Sequence, residues 1–405
     1  MTDHKEPLAQ RSEMSFAIVR RAWTIVRLKW SDPAVRLGLT AFIVLRFATA
    51  VWLWGIRQAL DQPLPPDPFY RQYVGVEVET RPWLEPWQRW DTPQYQAIAE
   101  RGYLAFESAM FVPPLYPLAM RLTGRLMGGD TLLAGILISN LACAAAFVAF
   151  ARLAFLELRT TAMARRSLLY LASSPPAFFL VAAYTESLYL LAAVLVILHL
   201  RRHEFMRAGL WGAVACMSRL PGVVILAPMV YSALTVRPRG FRSWAALLTA
   251  ALGALAFPLY AWLILGELPW TPILVQVARL HGGFAVPGAS LVEAVRQIVA
   301  HEYFVAEILD LLAIVFFGAL TIPVWRRLPR VHGVYYVTLI VLLLSRMGTD
   351  TPLLGTARYV LSLFPAFLVL GELGERQWVH RAVLYTFWIG ILYMSAQFAV
   401  WGWVG

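Results

Sequence analysis

One short segment of this chain combines residue types that can perform acid–base chemistry. It reads Arg89-Trp90-Asp91-Thr92-Pro93-Gln94-Tyr95, and Gly102-Tyr103 follows it. An aromatic neighbour partly removes the Asp91 carboxylate from water, which makes it a better base, and the Trp90 ring can pack against the face of a sugar. The alternative is that Asp91 caps the helix that follows, because an Asp with a Pro two residues later is a common helix start. The two roles are compatible.

A second group of candidates consists of a glutamate and an arginine that border helix breaks. Two prolines interrupt an apolar run before Tyr184-Thr185-Glu186, and Arg219 precedes another break at Leu220-Pro221-Gly222. An ionisable residue at membrane depth is a functional candidate, and the arginine fork fits a phosphate or a carboxylate. The alternatives are that Thr185 and Glu186 cap the next helix, and that Arg219 forms an internal ion pair, for instance with Glu186.

Two further arginines flank a turn that apolar sequence otherwise encloses: Arg346, and Arg358 with Tyr359 directly after it. Two guanidinium groups that converge on one turn suit a lipid phosphate or pyrophosphate; the alternative is that they extend toward lipid headgroups. His281 and His301 lack metal-ligand spacing, so no metal site is expected. Because Walker-type and dinucleotide-binding glycine motifs are also absent from the sequence, we expect no cofactor and no ATP or nicotinamide chemistry.

The elements that must position these residues are membrane helices, as the composition predicts. Of 405 residues, 59% are hydrophobic and 15% are charged, and the mean hydropathy is +0.61, whereas a soluble domain carries about 25% charge. We therefore predict an all-α polytopic membrane protein and exclude a cytosolic enzyme and a secreted disulfide scaffold. Apolar stretches predict about eleven spans, at 37–56, 131–157, 167–182, 186–200, 208–219, 222–236, 244–265, 303–325, 333–346, 356–373 and 381–403.

The charge pattern orients these spans. The net charge is +11, and basic residues recur in the N-terminal segment and in every second loop after it. The positive-inside rule places those loops and the N-terminus in the cytoplasm, so the excess charge reports orientation and nucleic-acid binding is not expected. Residues 1–405 are predicted to form a single membrane domain, with a cytoplasmic basic segment 1–36, a large first extracytoplasmic loop 58–130 and the remaining bundle 131–405. Part of that loop, Glu85 to Gly102, is predicted to form an amphipathic interfacial helix.

Taken in order along the chain, these motifs resemble the PIG-V-like mannosyltransferases, the family of GPI mannosyltransferase II and its prokaryotic relatives. The similar blocks are Arg89 through Tyr103, Phe111 to Pro117, Pro176 to Phe179 with Tyr184 to Leu188, Cys216 to Gly222, and Arg358-Tyr359 with Phe364-Pro365. Together they cover roughly residues 85 to 370. The chain departs from the family pattern at Thr92, Val112 and Leu220-Pro221, which bears on acceptor and lipid details more than on the class.

The resemblance implies a GT-C-type glycosyltransferase bundle that takes a sugar from a polyprenyl-phosphate donor. The sugar, mannose by resemblance, would pass with inversion to a glycolipid or protein acceptor on the extracytoplasmic face of the cell membrane or, in a eukaryote, of the endoplasmic reticulum. Asp91 would deprotonate the acceptor hydroxyl. The donor phosphate would be held by Arg219, Arg346, Arg358 and Tyr359, and the supporting residues would be Arg89, Trp90, Tyr95, Tyr184 and Glu186.

Two other classes of protein stay open at this point. A polytopic transporter or lipid flippase would place charges near mid-membrane and would repeat one half of the chain in the other; no such repeat is seen, and the polar residues gather at one face. The third class is a non-catalytic subunit that kept the fold. An assay with a panel of polyprenyl-phosphate sugars separates the three classes.

Overall fold

The structure is a computed structural model, and it describes residues 31–60, 73–103, 114–235, 240–271, 274, 283–301, 305–348 and 351–402. Helices make up nearly all of the regular structure in these ranges, so the predicted all-α class is confirmed. Three predicted features lie outside the described residues: most of the basic segment 1–36, the Phe111-Val112-Pro113 part of the second motif, and His281.

The helices follow one another with short connections. From the start of the described chain they are α1 (Pro33–Ala59), α2 (Asp91–Arg101), α3 (Leu115–Leu126), α4 (Thr131–Glu157), α5 (Thr161–Ser173), α6 (Glu186–Arg201), α7 (Phe205–Ser218), α8 (Leu226–Thr235) and α9 (Phe241–Leu263). They continue as α10 (Ala289–Val299), α11 (Val305–Ala319), α12 (Thr321–Arg327), α13 (Arg330–Ser345), α14 (Thr356–Tyr359), α15 (Pro365–Leu373) and α16 (Gln377–Ala399).

Short irregular elements connect these helices. Single 3-10 segments lie at Glu85–Trp87, Pro175–Leu180, Leu220–Ile225 and Val360–Ser362. Strand β1 (Gly283–Phe284) pairs antiparallel with β2 (Arg346–Met347), and Phe284 lies opposite Arg346. The two prolines of Pro175–Leu180 and the proline of Leu220–Ile225 explain two of the breaks, because proline cannot continue an α-helical hydrogen-bond ladder.

Five helical stretches in the described part of the chain are long and apolar enough to cross a membrane by length and composition. They are α1, α4, α9, α16 and the stretch Val305–Arg327 that joins α11 to α12. The predicted span 356–373 consists of two helical segments with an 81° bend between them. α6, α7 and α13 have only 16, 14 and 16 residues, so the total of eleven spans stays a prediction. Short helices at membrane depth require protein around their ends.

Small residues let the helices pack closely. A Cβ atom added to Gly209 of α7 would lie 2.7 Å from the Cα of Ala246, and one added to Gly253 of α9 would lie 2.5 Å from the Cα of Ala213. Helices α7 and α9 therefore touch backbone to backbone, the arrangement that small residues permit between membrane helices. In α6 nearly every side chain is buried, which places this helix at the centre of the bundle.

The segment before α2 is fastened to the bundle by charged side chains. The Arg81 guanidinium lies 2.6 Å from Glu79 Oε2 and 2.6 Å from Asp130 Oδ2. Asp130 in turn caps α4, since its Oδ1 accepts the N–H of Leu133 at 2.9 Å. The predicted continuous helix from Glu85 to Gly102 is not formed: a 3-10 turn ends at Trp87, and α2 starts only at Asp91. This arrangement brings Asp91 to the start of a helix that the bundle holds in place.

Candidate active site

Asp91 is the first residue of α2 and follows a sharp backbone turn. Trp90 has a φ of +53°, a left-handed value that is uncommon for a bulky side chain. Trp90 occupies the position at which a cap would lie, and it makes no side-chain cap hydrogen bond. The alternative in which Asp91 caps α2 is therefore wrong, because the helix begins at Asp91 itself. The turn leaves the Asp91 carboxylate available for a contact outside its own helix.

That contact is an ion pair with an arginine from the far end of the chain. Asp91 Oδ2 accepts a hydrogen bond from Arg358 Nη1 at 2.6 Å. Arg358 Nε lies 3.1 Å from Glu186 Oε1, and the same oxygen lies 2.7 Å from Arg219 Nη1. The four side chains thus form a continuous row of alternating charge, which we call the ion row: Asp91, Arg358, Glu186 and Arg219.

The ion row is largely closed to solvent. Glu186 has 1% of its side chain exposed and Arg219 has 7%, whereas Arg358 and Asp91 have 13% and 17%. The ion pair between Arg219 and Glu186, one of the alternatives for these residues, is present. Glu186 begins α6, but Thr185 before it makes no side-chain cap hydrogen bond, so the capping role proposed for Thr185 is wrong. Exposure is lowest at Glu186 and rises through Arg358 to Asp91, which is the most accessible member of the row.

Three arginines lie around the ring of one tyrosine, Tyr359. The guanidinium carbons of Arg219 and Arg346 lie 4.7 Å and 4.6 Å from the ring centre of Tyr359, and that of Arg358 lies 6.0 Å away. Such distances allow cation–π attraction. Arg346 also donates a hydrogen bond to the carbonyl oxygen of Leu354 at 3.0 Å. The structure therefore brings together the four residues for which sequence reasoning suggested phosphate binding.

The position of Arg358 depends on an aspartate that the motifs did not single out. Asp310 of α11 is 3% exposed, and its carboxylate accepts the N–H groups of Ala357 at 2.6 Å and Gly355 at 3.2 Å. Gly355 has a φ of +70°, a value that glycine adopts without strain. Asp310 thereby fixes the turn that begins α14. The signal that could have revealed it was a carboxylate inside the apolar stretch 303–325.

Tyrosines from two segments support Asp91. The Tyr184 hydroxyl accepts the N–H of Asp91 at 3.2 Å and donates to the carbonyl oxygen of Arg89 at 3.1 Å. The Tyr95 hydroxyl lies 3.5 Å from Thr185 Oγ1. Burial and the nearby charge of Asp91 raise the pKa of Tyr95, so this hydroxyl stays neutral and can donate a hydrogen bond.

Two of the predicted supporting residues contribute to the fold around the site. Arg89 is fully buried; its guanidinium pairs with Glu85, donates to the carbonyl oxygen of Ala399 at 3.1 Å and lies 5.0 Å from the Trp401 ring centre. The Trp90 ring packs edge-on against the same Trp401 ring at 5.7 Å. These contacts fasten the turn before Asp91 to the C-terminal end of α16.

Candidate metal ligands were also compared with this geometry. Within the residues that the structure describes, no group of three or more His, Cys, Asp or Glu side chains is arranged to hold a metal ion. Cys143 and Cys216 are both buried and unpaired by disulfide. The charged centre of the site thus consists of two carboxylates and three guanidinium groups.

Comparison with known proteins bears on this arrangement. The family model described as Mannosyltransferase (PIG-V) matches residues 69–259, which contain Asp91, Glu186 and Arg219. No curated protein matches the chain, and no solved structure does. The match confirms the resemblance to PIG-V-like mannosyltransferases that the motifs indicated, and it supports a membrane glycosyltransferase. Arg346 and Arg358 lie beyond the matched residues, so their connection to this chemistry rests on geometry.

Proposed function

With the PIG-V mannosyltransferase match as the premise, we propose that this chain transfers a mannosyl group from a polyprenyl-phosphate donor to an acceptor hydroxyl. The acceptor is a glycolipid or a protein, and the reaction takes place at the extracytoplasmic face. The observation that carries the proposal is the ion row, in which a partly accessible carboxylate adjoins several guanidinium groups. A base beside an anion site is what transfer from a sugar phosphate requires.

The reaction is a single displacement with inversion. The acceptor oxygen bonds to the anomeric carbon from the face opposite the phosphate, and the bond from that carbon to the phosphate oxygen breaks. Asp91 takes the proton of the acceptor hydroxyl. The electron pair of the broken bond leaves with the polyprenyl phosphate, which is stable as an anion and needs no proton from the protein. Arg219, Arg346 and Arg358 stabilise the growing negative charge on this leaving group.

The charge count of the site fits this sequence of events. Three guanidinium groups balance the carboxylates of Asp91 and Glu186 together with the single charge of a bound phosphodiester. During transfer Asp91 loses its charge by taking up the proton, while the phosphate gains one. The site therefore remains neutral before and after the reaction, which avoids the cost of an uncompensated charge in a poorly solvated interior.

Arg358 gives Asp91 a resting partner. The Arg358 guanidinium lies 2.6 Å from the Asp91 carboxylate, so the arginine holds the carboxylate in place before the donor binds. The donor phosphate competes for the same guanidinium. When Arg358 turns toward the phosphate, it releases the Asp91 carboxylate, whose oxygen can then contact the acceptor hydroxyl.

The decisive experiment assays the purified chain with polyprenyl-phosphate mannose and other polyprenyl-phosphate sugars. We expect mannosyl transfer by the wild type and none by Asp91→Asn, with unchanged thermal unfolding. Asp32→Asn is the matched control, because Asp32 lies at the start of α1 and pairs with Arg152. Normal transfer by Asp91→Asn would refute the base assignment. Binding without turnover by the wild type would favour a non-catalytic subunit, and movement of the intact lipid across vesicles would favour a flippase.

A further inference from the structure

A polar pocket lies at the end of α5 that is remote from Asp91, and an apolar groove adjoins it and runs along α5 as far as Ser173. Asp91 contacts Tyr184, which follows the C-terminal end of α5, whereas the cavities lie at the N-terminal end and along the side of that helix. Since α5 has 13 residues, its length alone separates the two ends by about 20 Å. The polar pocket is therefore distant from the ion row, and no member of the ion row lines either cavity.

The first cavity is a polar pocket of about 390 Å³. Its walls include Arg165 and Arg166 from α5, His380 from α16, and the first residues of both helices, Thr161 and Gln377; one carboxylate, that of Glu375, also lines it. α16 has 23 residues and no side-chain cap at its start, so its first N–H groups point out of the helix without that partner. Free N–H groups and the positive end of a long helix favour an anion.

Arg166 has donor capacity that its protein neighbours leave unused. Its Nε donates to the carbonyl oxygen of Gly371 at 3.0 Å, but its Nη2 is buried and has no hydrogen-bond partner within the described residues. Glu375 Oε1 lies 3.8 Å from Nη2, a long ion pair that is not a hydrogen bond. A buried guanidinium N–H without a hydrogen-bond acceptor is unfavourable, so an oxygen-rich ligand would satisfy it.

The second cavity is an apolar groove of about 520 Å³ between α1, α5 and α16. Small and aliphatic side chains line it, including Ala41 and Ala48 from α1, Leu168 and Ala172 from α5, and Leu392 from α16. Arg165 lines the groove as well as the polar pocket. A cationic pocket thus continues directly into a hydrocarbon-like groove along the same two helices, α5 and α16.

We propose that the two cavities together bind one anionic phospholipid from the adjacent leaflet. Its phosphate lies against Arg165, Arg166 and the start of α16, and one acyl chain fills the groove between α1, α5 and α16. The joined cavities favour a lipid over a soluble anion, because a free phosphate would leave the groove empty. Charge complementarity favours an anionic headgroup over a zwitterionic one. The site fastens α16, whose other end holds Trp90 and Arg89, to a lipid.

The test measures lipid binding to the purified full chain in detergent by native mass spectrometry. Phosphatidylglycerol and phosphatidylcholine with identical acyl chains are compared, and polyprenyl phosphate and inorganic phosphate are added as competitors. We expect phosphatidylglycerol to bind at least about tenfold more tightly than phosphatidylcholine, since the choline cation offsets the phosphate charge and is repelled by the two arginines, whereas glycerol carries no charge. Equal binding of the two phospholipids, or displacement by inorganic phosphate or polyprenyl phosphate at equal concentration, would overturn the proposal.

Substitutions test the polar pocket and the apolar groove separately. The double variant Arg165→Gln, Arg166→Gln should remove the preference for phosphatidylglycerol. If the double variant unfolds, Arg165→Gln alone is tested instead, because Arg165 is exposed. Ala48 is also exposed, and Ala48→Trp should fill the groove and weaken the binding of both phospholipids. Arg326→Gln is the control from a different basic loop, and its binding should equal that of the wild type. Unchanged binding by the arginine and groove variants would contradict the proposal.

Discussion

The Oδ2 atom of Asp91 lies 2.6 Å from Nη1 of Arg358, although 267 positions separate the two residues in the chain. Glu186 and Arg219 extend this contact into the interior. The pair joins the first loop of the predicted topology to the predicted span 356–373, the last but one in the chain. Any catalytic role of Asp91 therefore depends on the correct position of a turn formed much later in the sequence.

Replacement of Arg358 tests this dependence. We expect Arg358→Gln to lower kcat/KM for polyprenyl-phosphate mannose by about 100-fold or more, because one of three charges that stabilise the leaving phosphate is lost. Arg358→Lys should recover only part of the activity, since lysine cannot span Asp91 and Glu186 with a fork. Steady-state transfer assays give both values.

Arg125→Gln provides the matched control for that experiment. Arg125 is an exposed arginine of α3, in the same predicted loop as Asp91, and its loss should leave kcat/KM within about twofold. Full activity of Arg358→Gln would exclude Arg358 from the reaction.

Asp310 should act as a positioning residue. Asp310→Asn retains the size of the side chain but replaces one of the two acceptor oxygens by an NH2 group, so one of the hydrogen bonds from Gly355 and Ala357 is lost. We expect KM for the donor to rise by about tenfold, since displacement of the α14 turn moves Arg358 and Tyr359 away from the phosphate. The change in kcat should be smaller. A purely structural role predicts lower yield or thermal stability with unchanged KM, so measurement of both constants distinguishes the two roles.

The glycine at the start of that turn gives a sharper comparison. Gly355 has a φ of +70°, so Gly355→Ala should cost about 1–2 kcal/mol of local strain and lower transfer activity. Gly318→Ala in α11 is the matched control, because a Cβ there would meet no atom within 4 Å and alanine favours the helix. Thermal unfolding and activity of both variants check the prediction. Equal behaviour of the two variants would show that the turn tolerates a side chain.

Low pH should lower the stability of the segment that leads to Asp91. Burial acts to raise the pKa of Glu79, but hydrogen bonds from Arg81 outweigh it and leave the pKa below the usual value of 4.5. A carboxyl group whose pKa is lower in the folded state stabilises the fold above its unfolded pKa, and this contribution disappears as the pH falls through the folded value.

The measurement is the Tm of wild type and Glu79→Gln between pH 7 and pH 3. The variant should melt at a lower temperature at pH 7, and the difference should shrink from about pH 4.5 downward. A Tm difference that stays constant over this range would show that the ion pair with Arg81 contributes nothing. The assay needs no substrate, so it tests the fold separately from the function.

The sequence predicted which residues belong to the candidate site better than it predicted which of them contact each other. Motifs and charge placement indicated Asp91, Glu186, Arg219, Arg346 and Arg358, and these side chains or their immediate neighbours meet in the structure. The pair of Arg219 with Glu186 was among the alternatives, but the pairing of Asp91 with Arg358 could not be predicted, because it depends on the packing of helices far apart in the chain. The roles of Asp310 and Gly355 likewise arise from the contact between α11 and α14, which has no local signature.

Hydropathy predicted the helical class, and for some helices it also predicted the bounds. The long apolar run 131–157, which contains no proline, became a single helix with the predicted bounds. The chain is divided between Ser173 and Glu186, where two prolines follow each other. The loss of the expected continuous helix before Asp91 follows from the positive φ of Trp90, which the contacts with Trp401 and Tyr184 enforce and which no local propensity indicates.

The low exposure of the inner ion row affects how the enzyme should respond to dissolved salt. Mobile ions screen charges that water surrounds, with a Debye length of about 8 Å at physiological ionic strength. Glu186 and Arg219 are nearly closed to water, so counter-ions cannot surround them. Donor affinity should therefore change little between low and high salt, and the surface arginines of the basic loops should account for most of the salt sensitivity of the protein.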